Sequence, residues 1–145
     1  MPIGEKPIGW RQLQRLIGEL ADGIRASNFK PDIIIGLGRR GWVFARLLSD
    51  HLGVSNLITL HVDPPIDIGR VSTLELRGRR VLIAFDAEEA SKALGGLLRD
   101  LEDLGVSEAR TATLLLPEGV TPPDYYHSLG GGVIYPWELH RRRGA

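Results

Sequence analysis

The sequence predicts an α/β domain built on a doubly wound, mostly parallel sheet flanked by helices, and three observations carry that prediction. Two short apolar runs, Ile33 to Ile35 and Val81 to Ile83, lack polar alternation, as strands buried on both faces of a parallel sheet do. Each run leads through a glycine-bearing or acidic turn into a stretch with apolar residues at helical spacing. Parallel neighbours need crossover connections, and the helices supply them.

Taken in order, Trp10, Leu13, Ile17, Leu20, Ala21 and Ile24 mark one apolar face of a helix from about Trp10 to Ser27, which Pro31 cannot continue. Asp32 to Leu37 reads as a buried strand, Gly38 to Gly41 as a turn, and Trp42 to Leu52 as a helix stopped by Gly53. Leu57 to Val62 reads as a strand, and the proline-bearing stretch Asp63 to Asp67 as a loop. Arg80 to Phe85 is the next strand, and Glu89 to Leu104 a helix with Gly105 past its end. Thr111 to Leu116 is a further strand, Pro117 to Pro123 a turn-rich link, and Val133 to Tyr135 a short last strand. The 145 residues suit one domain, residues 1–145, without repeats.

Composition narrows the chemistry. Basic and acidic residues number 18 each, so no global field points to nucleic acid or an anionic membrane. The absence of cysteine excludes disulfides, thiolate catalysis and cysteine-held metals. No signal-peptide pattern or membrane-length apolar run is present, and a soluble, cytoplasmic protein is expected. Ligands of such sheets sit beyond the carboxyl ends of the strands. That rule singles out Gly38 to Gly41, Asp63 to Asp67, Asp86 to Ala93 and Pro117 to Tyr126.

Four segments, PDIIIGLGRRGWVFARLLSDHLGV, RRVLIAFDAEEASKALGGL, PPDYY and VIYPWE, resemble in order and spacing the short archaeal and bacterial hypoxanthine, xanthine and guanine phosphoribosyltransferases of the type I family. The resemblance covers nearly the whole chain. It implies the type I phosphoribosyltransferase fold with a small C-terminal hood, transfer of a 5-phosphoribosyl group from phosphoribosyl pyrophosphate to a purine nitrogen, and self-association. No intrinsic cofactor and no protein-held metal is implied. Magnesium would enter only with phosphoribosyl pyrophosphate, and the ligands to expect are phosphate, a nucleotide or phosphoribosyl pyrophosphate.

The resemblance also locates substrate positions, and most of them are changed. The phosphate and ribose loop corresponds to Asp86, Ala87, Glu88, Glu89, Ala90, Ser91, Lys92 and Ala93, with Asp86 and Glu89 at the catalytic positions. Only Asp86, Glu89 and Lys92 keep the family chemistry; Phe85 replaces a ribose carboxylate, Ala90 and Ala93 replace threonines, and Ser91 replaces glycine. A small oxyanion is still expected at the backbone of Ala90 to Ala93, where a loop opens a helix. The pyrophosphate loop corresponds to Gly38, Arg39, Arg40 and Gly41, where Arg40 stands at a glycine position and is expected either to change the loop or to point into solvent. At the purine site Leu116 replaces a lysine and Gly132, beside Val133, an aromatic. Pro123 to Tyr126 and Pro136 to Glu138 remain as scaffold.

Some positions keep two readings. Asp86, Glu88 and Glu89 are either a ribose or metal site or solvated acids that favour the following helix. Arg39 and Arg40 either bind an anion or are surface charge, and Trp42 and Phe44 either fill the emptied pocket or form an apolar patch. His61 and His127 lack a second histidine at ligand spacing, and Arg141 to Arg143 read as a solvated tail. The expected protein is a catalytically weak or silent relative that binds a nucleotide, another anion or a protein partner. The alternative is an active 6-oxopurine phosphoribosyltransferase with unusual contacts.

Overall fold

A computed structural model describes residues 6–62, 75–127 and 133–138. Its centre is a five-stranded sheet in the order β3, β2, β4, β5, β6, comprising Leu57–Leu60, Ile33–Leu37, Arg80–Phe85, Glu108–Leu115 and Tyr125–His127, with every neighbouring pair parallel. The fold class is the one the sequence predicts.

Helices α1 (Trp10–Ala26), α2 (Gly38–Leu52) and α3 (Ala87–Asp103) cover the two faces. Period-2 alternation in the strands divides the core. Ile34, Leu82, Ala84, Ala112 and Leu114 pack with Leu13, Ile17, Phe44 and Leu48 of α1 and α2. Ile33, Ile35, Val81, Ile83 and Phe85 pack with Leu97 and Leu101 of α3. Burial of each of the larger of these side chains, valine, leucine, isoleucine or phenylalanine, contributes roughly 1.5–3 kcal/mol. Trp10 does not join its helix's buried face, which begins at Leu13; its indole is about half exposed.

Several boundaries differ from the sequence reading, each for a local reason. Gly38 to Gly41 is not a free turn but the first turn of α2, because Gly38 reverses the chain in one residue at φ +81°, a left-handed conformation side chains rarely adopt. Helix α3 starts at Ala87, two residues earlier than expected, with Asp86 at its N-cap and Glu88 and Glu89 in the favoured first turn. Strand β5 starts at Glu108, three residues early, held by Ser107 N–H to Arg79 carbonyl at 2.8 Å. Strand β3 stops at Leu60, two residues short of the expected Val62. Tyr125–His127, read as part of no strand, pairs at the sheet edge with β5.

The hood is made from both ends of the described chain. Strand β1 (Lys6–Pro7) pairs in parallel with β7 (Val133–Ile134), and Ile8 N–H donates to the Ile134 carbonyl at 3.0 Å. A 3-10 turn, Pro136–Glu138, follows. Trp137 stacks on Tyr135 with centroids 4.7 Å apart, and Trp10 tilts against Trp137 at 6.1 Å. The loop read at Asp63 to Asp67 and the tail Arg141 to Arg143 lie outside the described residues.

Candidate functional site

The carboxyl ends of β2 and β4 bring the pyrophosphate-loop and ribose-loop positions together. Register pairs Leu37 with Phe85, so the first turns of α2 and α3 emerge side by side. Gly41 makes that approach possible: a Cβ there would lie 2.8 Å from the Ala84 carbonyl oxygen and 3.1 Å from the Phe85 Cα.

Arg40 turns inward, not to solvent. Its guanidinium donates from NH1 to Asp86 Oδ2 at 2.8 Å and to Glu88 Oε2 at 3.3 Å, and from Nε and NH2 to Glu138 Oε2 at 3.1 and 2.8 Å. It also lies 5.8 Å from the Tyr135 ring centroid. The Arg40, Asp86 and Glu138 side chains are only 19%, 9% and 10% exposed, so α2, α3 and the hood are joined through a mostly dry ion-pair cluster.

Charge in this cluster is unbalanced. Burial works against the Arg40 charge, but its hydrogen bonds to Asp86 and Glu138 outweigh it and hold the guanidinium above its ordinary value. Asp86 is raised too, but for an acid that disfavours the charged form. Its burial, with the nearby Glu88 charge, outweighs its share of Arg40 and raises its carboxyl above the usual range. Both shifts follow from one cation facing three carboxylates: Arg40 collects every partner, and each acid receives only part of Arg40. Burial likewise pushes the Tyr135 phenol up.

Glu89 occupies the other half of the junction. Its Oε1 accepts the backbone N–H of Arg40 at 3.0 Å and its Oε2 that of Arg39 at 3.2 Å. Helix α2 has no side-chain cap of its own, so a carboxylate from α3 satisfies its N-terminal donors. A Cβ on Gly38 would overlap that carboxylate. The backbone donors expected to hold an anion on α2 are therefore bonded within the chain.

The backbone of Ala90 to Ala93, the oxyanion position expected from the sequence, lies within α3. Ala90 N–H donates to the Asp86 carbonyl at 2.9 Å and Ala90 is buried, so Ala90 to Ala93 form helix interior and not an open phosphate loop. Ser91 donates its hydroxyl to the Ala87 carbonyl. Ser91 and Lys92 face solvent, and Ala87 is buried against the sheet.

At the purine positions, Leu116 is half-buried, and its N–H donates to the His127 carbonyl at 2.9 Å. Val133 contributes backbone to β7, whereas Gly132 lies outside the described residues. The PPDYY segment ties the sheet edge. Asp124 Oδ2 accepts Thr111 N–H at 2.8 Å, and the Tyr125 hydroxyl accepts from Arg110 at 2.7 Å and shares a hydrogen bond with Ser27 at 2.6 Å. The His127 ring N–H donates to the Leu16 carbonyl at 2.8 Å. Among the described residues no three His, Asp or Glu side chains are disposed to hold a metal ion.

The space left is displaced. Between Phe85, Asp86, Leu114, Tyr135 and Trp137, Arg40 and Phe44 leave only about 10 Å³. Of the two aromatics with open readings, Phe44 is thus the filler. Trp42 is half exposed, and it lines a cleft of about 480 Å³ on the β3 side with His61, Arg39 and Trp137. His61 carries no signal in the sequence beyond its place at the end of a buried strand.

An all-parallel sheet with its site at the carboxyl ends of central strands, beneath a small hood, is the architecture of the type I phosphoribosyltransferases. The chain is similar to a purine phosphoribosyltransferase from Pyrococcus horikoshii OT3, with 31% identity over 92% of this chain and 94% of that one and a TM-score of 0.75. It therefore belongs to the purine phosphoribosyltransferase family. It also shares its fold with a hypothetical protein from Neisseria gonorrhoeae solved with bound ppGpp, at 18% identity over 99% and 97% of the two chains and a TM-score of 0.73. The xanthine-guanine-hypoxanthine phosphoribosyltransferase of Helicobacter pylori matches over 96% and 97% at 14% identity and a TM-score of 0.68. No protein-family model and no curated protein matches the chain.

Proposed function

We propose that this family member has weak or silent phosphoribosyl transfer and acts by binding, taking a nucleotide, another anion or a protein partner at the carboxyl end of its sheet. The observation that carries this reading is Arg40 clasped between Asp86 and Glu138. Transfer chemistry of this family asks a carboxylate to meet the ribose hydroxyls and backbone donors to meet pyrophosphate. Here Asp86 is engaged by Arg40, and the donors at Arg39 and Arg40 are engaged by Glu89. A substrate must break these interactions before it gains its own, and leaving one buried polar group unsatisfied costs about 1–3 kcal/mol.

Magnesium would enter with the pyrophosphate and ribose oxygens as part of the substrate. The protein itself is proposed to carry no cofactor, to work in the cytoplasm and to self-associate. No helix among the described residues is long and apolar enough to cross a membrane.

A second reading, active 6-oxopurine transfer with unusual contacts, is favoured by the 31% identity to the Pyrococcus enzyme and by the retained Asp86, Glu89 and Lys92. One assay separates the two. Product is measured from phosphoribosyl pyrophosphate and magnesium with adenine, hypoxanthine, guanine, xanthine and orotate. Rates several orders of magnitude below an intact relative are expected with all five; turnover near about 10 per second with any of them establishes the active reading instead.

A further inference from the structure

The cleft on the β3 side is walled differently from the junction beneath it. All three tryptophans of the chain stand at this end of the molecule: Trp42 and Trp137 line the cleft, and Trp10 packs against Trp137. Trp137 has one face taken by Tyr135, but the Trp42 indole is 50% exposed just past the first turn of α2, where a polar residue would serve the helix equally well. An unburied indole bordering a concave space of about 480 Å³ is an aromatic platform of the size small ligands use.

The charges around the platform select further. The Glu89 oxygens are both bonded to backbone N–H groups, and Glu138 holds Arg40. Arg39 differs: its backbone N–H is bonded to Glu89, while no hydrogen bond or ion pair engages its exposed guanidinium among the described residues. The cleft lining thus offers one unengaged positive charge, Arg39, beside the carboxylates of Glu89 and Glu138, while the Arg40 guanidinium is already bonded to Asp86 and Glu138. A single negative group at Arg39 is favoured there, whereas a polyphosphate would bring further charge against Glu89 and Glu138.

We propose that this cleft binds a flat aromatic molecule carrying one negative charge, with the ring stacked on Trp42 and the anion held by Arg39. The proposal rests on the binding reading above and names the ligand class of that end of the sheet. It replaces a site for phosphoribosyl pyrophosphate with one that reads a ring and a single charge.

Naphthalene-2-sulfonate serves as probe, with 2-naphthol for the ring alone and pyrophosphate for charge alone, each titrated by calorimetry into the full chain. The sulfonate is expected to bind most tightly and pyrophosphate most weakly. Trp42→Ala should weaken both naphthyl probes about tenfold, the effect of losing one stacking surface. Arg39→Gln should weaken the sulfonate about tenfold and leave 2-naphthol unchanged. Both substitutions lie on exposed positions, and circular dichroism confirms that the variants are folded. Sulfonate affinity unchanged in Trp42→Ala, or pyrophosphate bound more tightly than the sulfonate, overturns the proposal. Failure is distinguishable from failure of the binding reading, because turnover with phosphoribosyl pyrophosphate refutes the latter alone. An absent naphthyl signal without turnover refutes only the aromatic site.

Discussion

Glu89 caps the helix that begins at Gly38 through Arg40, whose backbone N–H lies 3.0 Å from Glu89 Oε1, although the two residues belong to different helices. The second oxygen reaches Arg39. Replacing Glu89 with alanine leaves both donors without a protein acceptor and should cost about 1 kcal/mol, the usual worth of a cap, read as a lower urea midpoint with an unchanged slope. Glu89→Gln keeps one acceptor and should lose less.

Removing the Arg40 guanidinium is a harsher change. Arg40→Met leaves Asp86 and Glu138 buried without their shared cation, and a loss of about 3 kcal/mol is expected. Arg46 pairs with Asp50 on an exposed helix face, so Arg46→Ala should change stability by less than about 0.5 kcal/mol. Equal losses in the two variants would mean that Arg40 is solvated and not clasped.

The raised Asp86 carboxyl gives a signed pH dependence. The unfolded chain releases this proton near the ordinary value of 3.8, and the folded chain holds it to higher pH. Between those values the folded state binds more protons, so Asp86's contribution is fully present below 3.8 and falls as pH rises through the folded value. Unfolding free energies of wild type and Asp86→Asn, measured from pH 3 upward, should differ most in favour of wild type at the acid end. A difference growing with pH would reverse the sign.

Thr113 carries the buried hydroxyl that finds no partner among the described residues. Valine has the same shape without that oxygen, so Thr113→Val should be neutral or stabilising by about 1 kcal/mol in thermal unfolding.

Two glycines should respond oppositely to alanine. Gly41→Ala drives a methyl group against the β4 backbone and should cost about 2 kcal/mol. Gly23 lies inside α1 with nothing within 4 Å of a would-be Cβ, and Gly23→Ala should gain about 0.5–1 kcal/mol. Chemical denaturation of the pair checks how closely α2 approaches the sheet.

What the sequence makes legible is what the chain writes locally. Ile33 to Ile35 and Val81 to Ile83 announce buried strands because burial on both faces leaves no room for polar alternation. Tyr125–His127 and Lys6–Pro7 escape a local reading because strands of three and two residues are too short to show a pattern of their own and exist only through their partners, β5 for the first and the distant β7 for the second. Gly38 to Gly41 looks like a turn since glycine signals a reversal but not how few residues it takes. Arg40 is legible as an intruder at a glycine position. Its inward path is not, because Asp86 and Glu138 lie 46 and 98 residues away and their convergence depends on the hood. An arginine replacing a small residue in a chain that keeps several acids at the matching loop is the signal that points to it.

The pairing of Lys6 with Val133 has a bearing on synthesis. A ribosome delivers residues in order, so the segment that holds Asp86 emerges while Glu138 is still to be made. During that interval the nascent chain can assemble its central strands and bring Arg40 to Asp86, but it cannot close the hood. Such a distant contact is slow to form. Stalled chains ending before residue 133 should therefore hold a sheet that resists protease while the end carrying Trp10 is cut, and the second arm of the Arg40 clasp becomes a mark of a chain extended past Glu138.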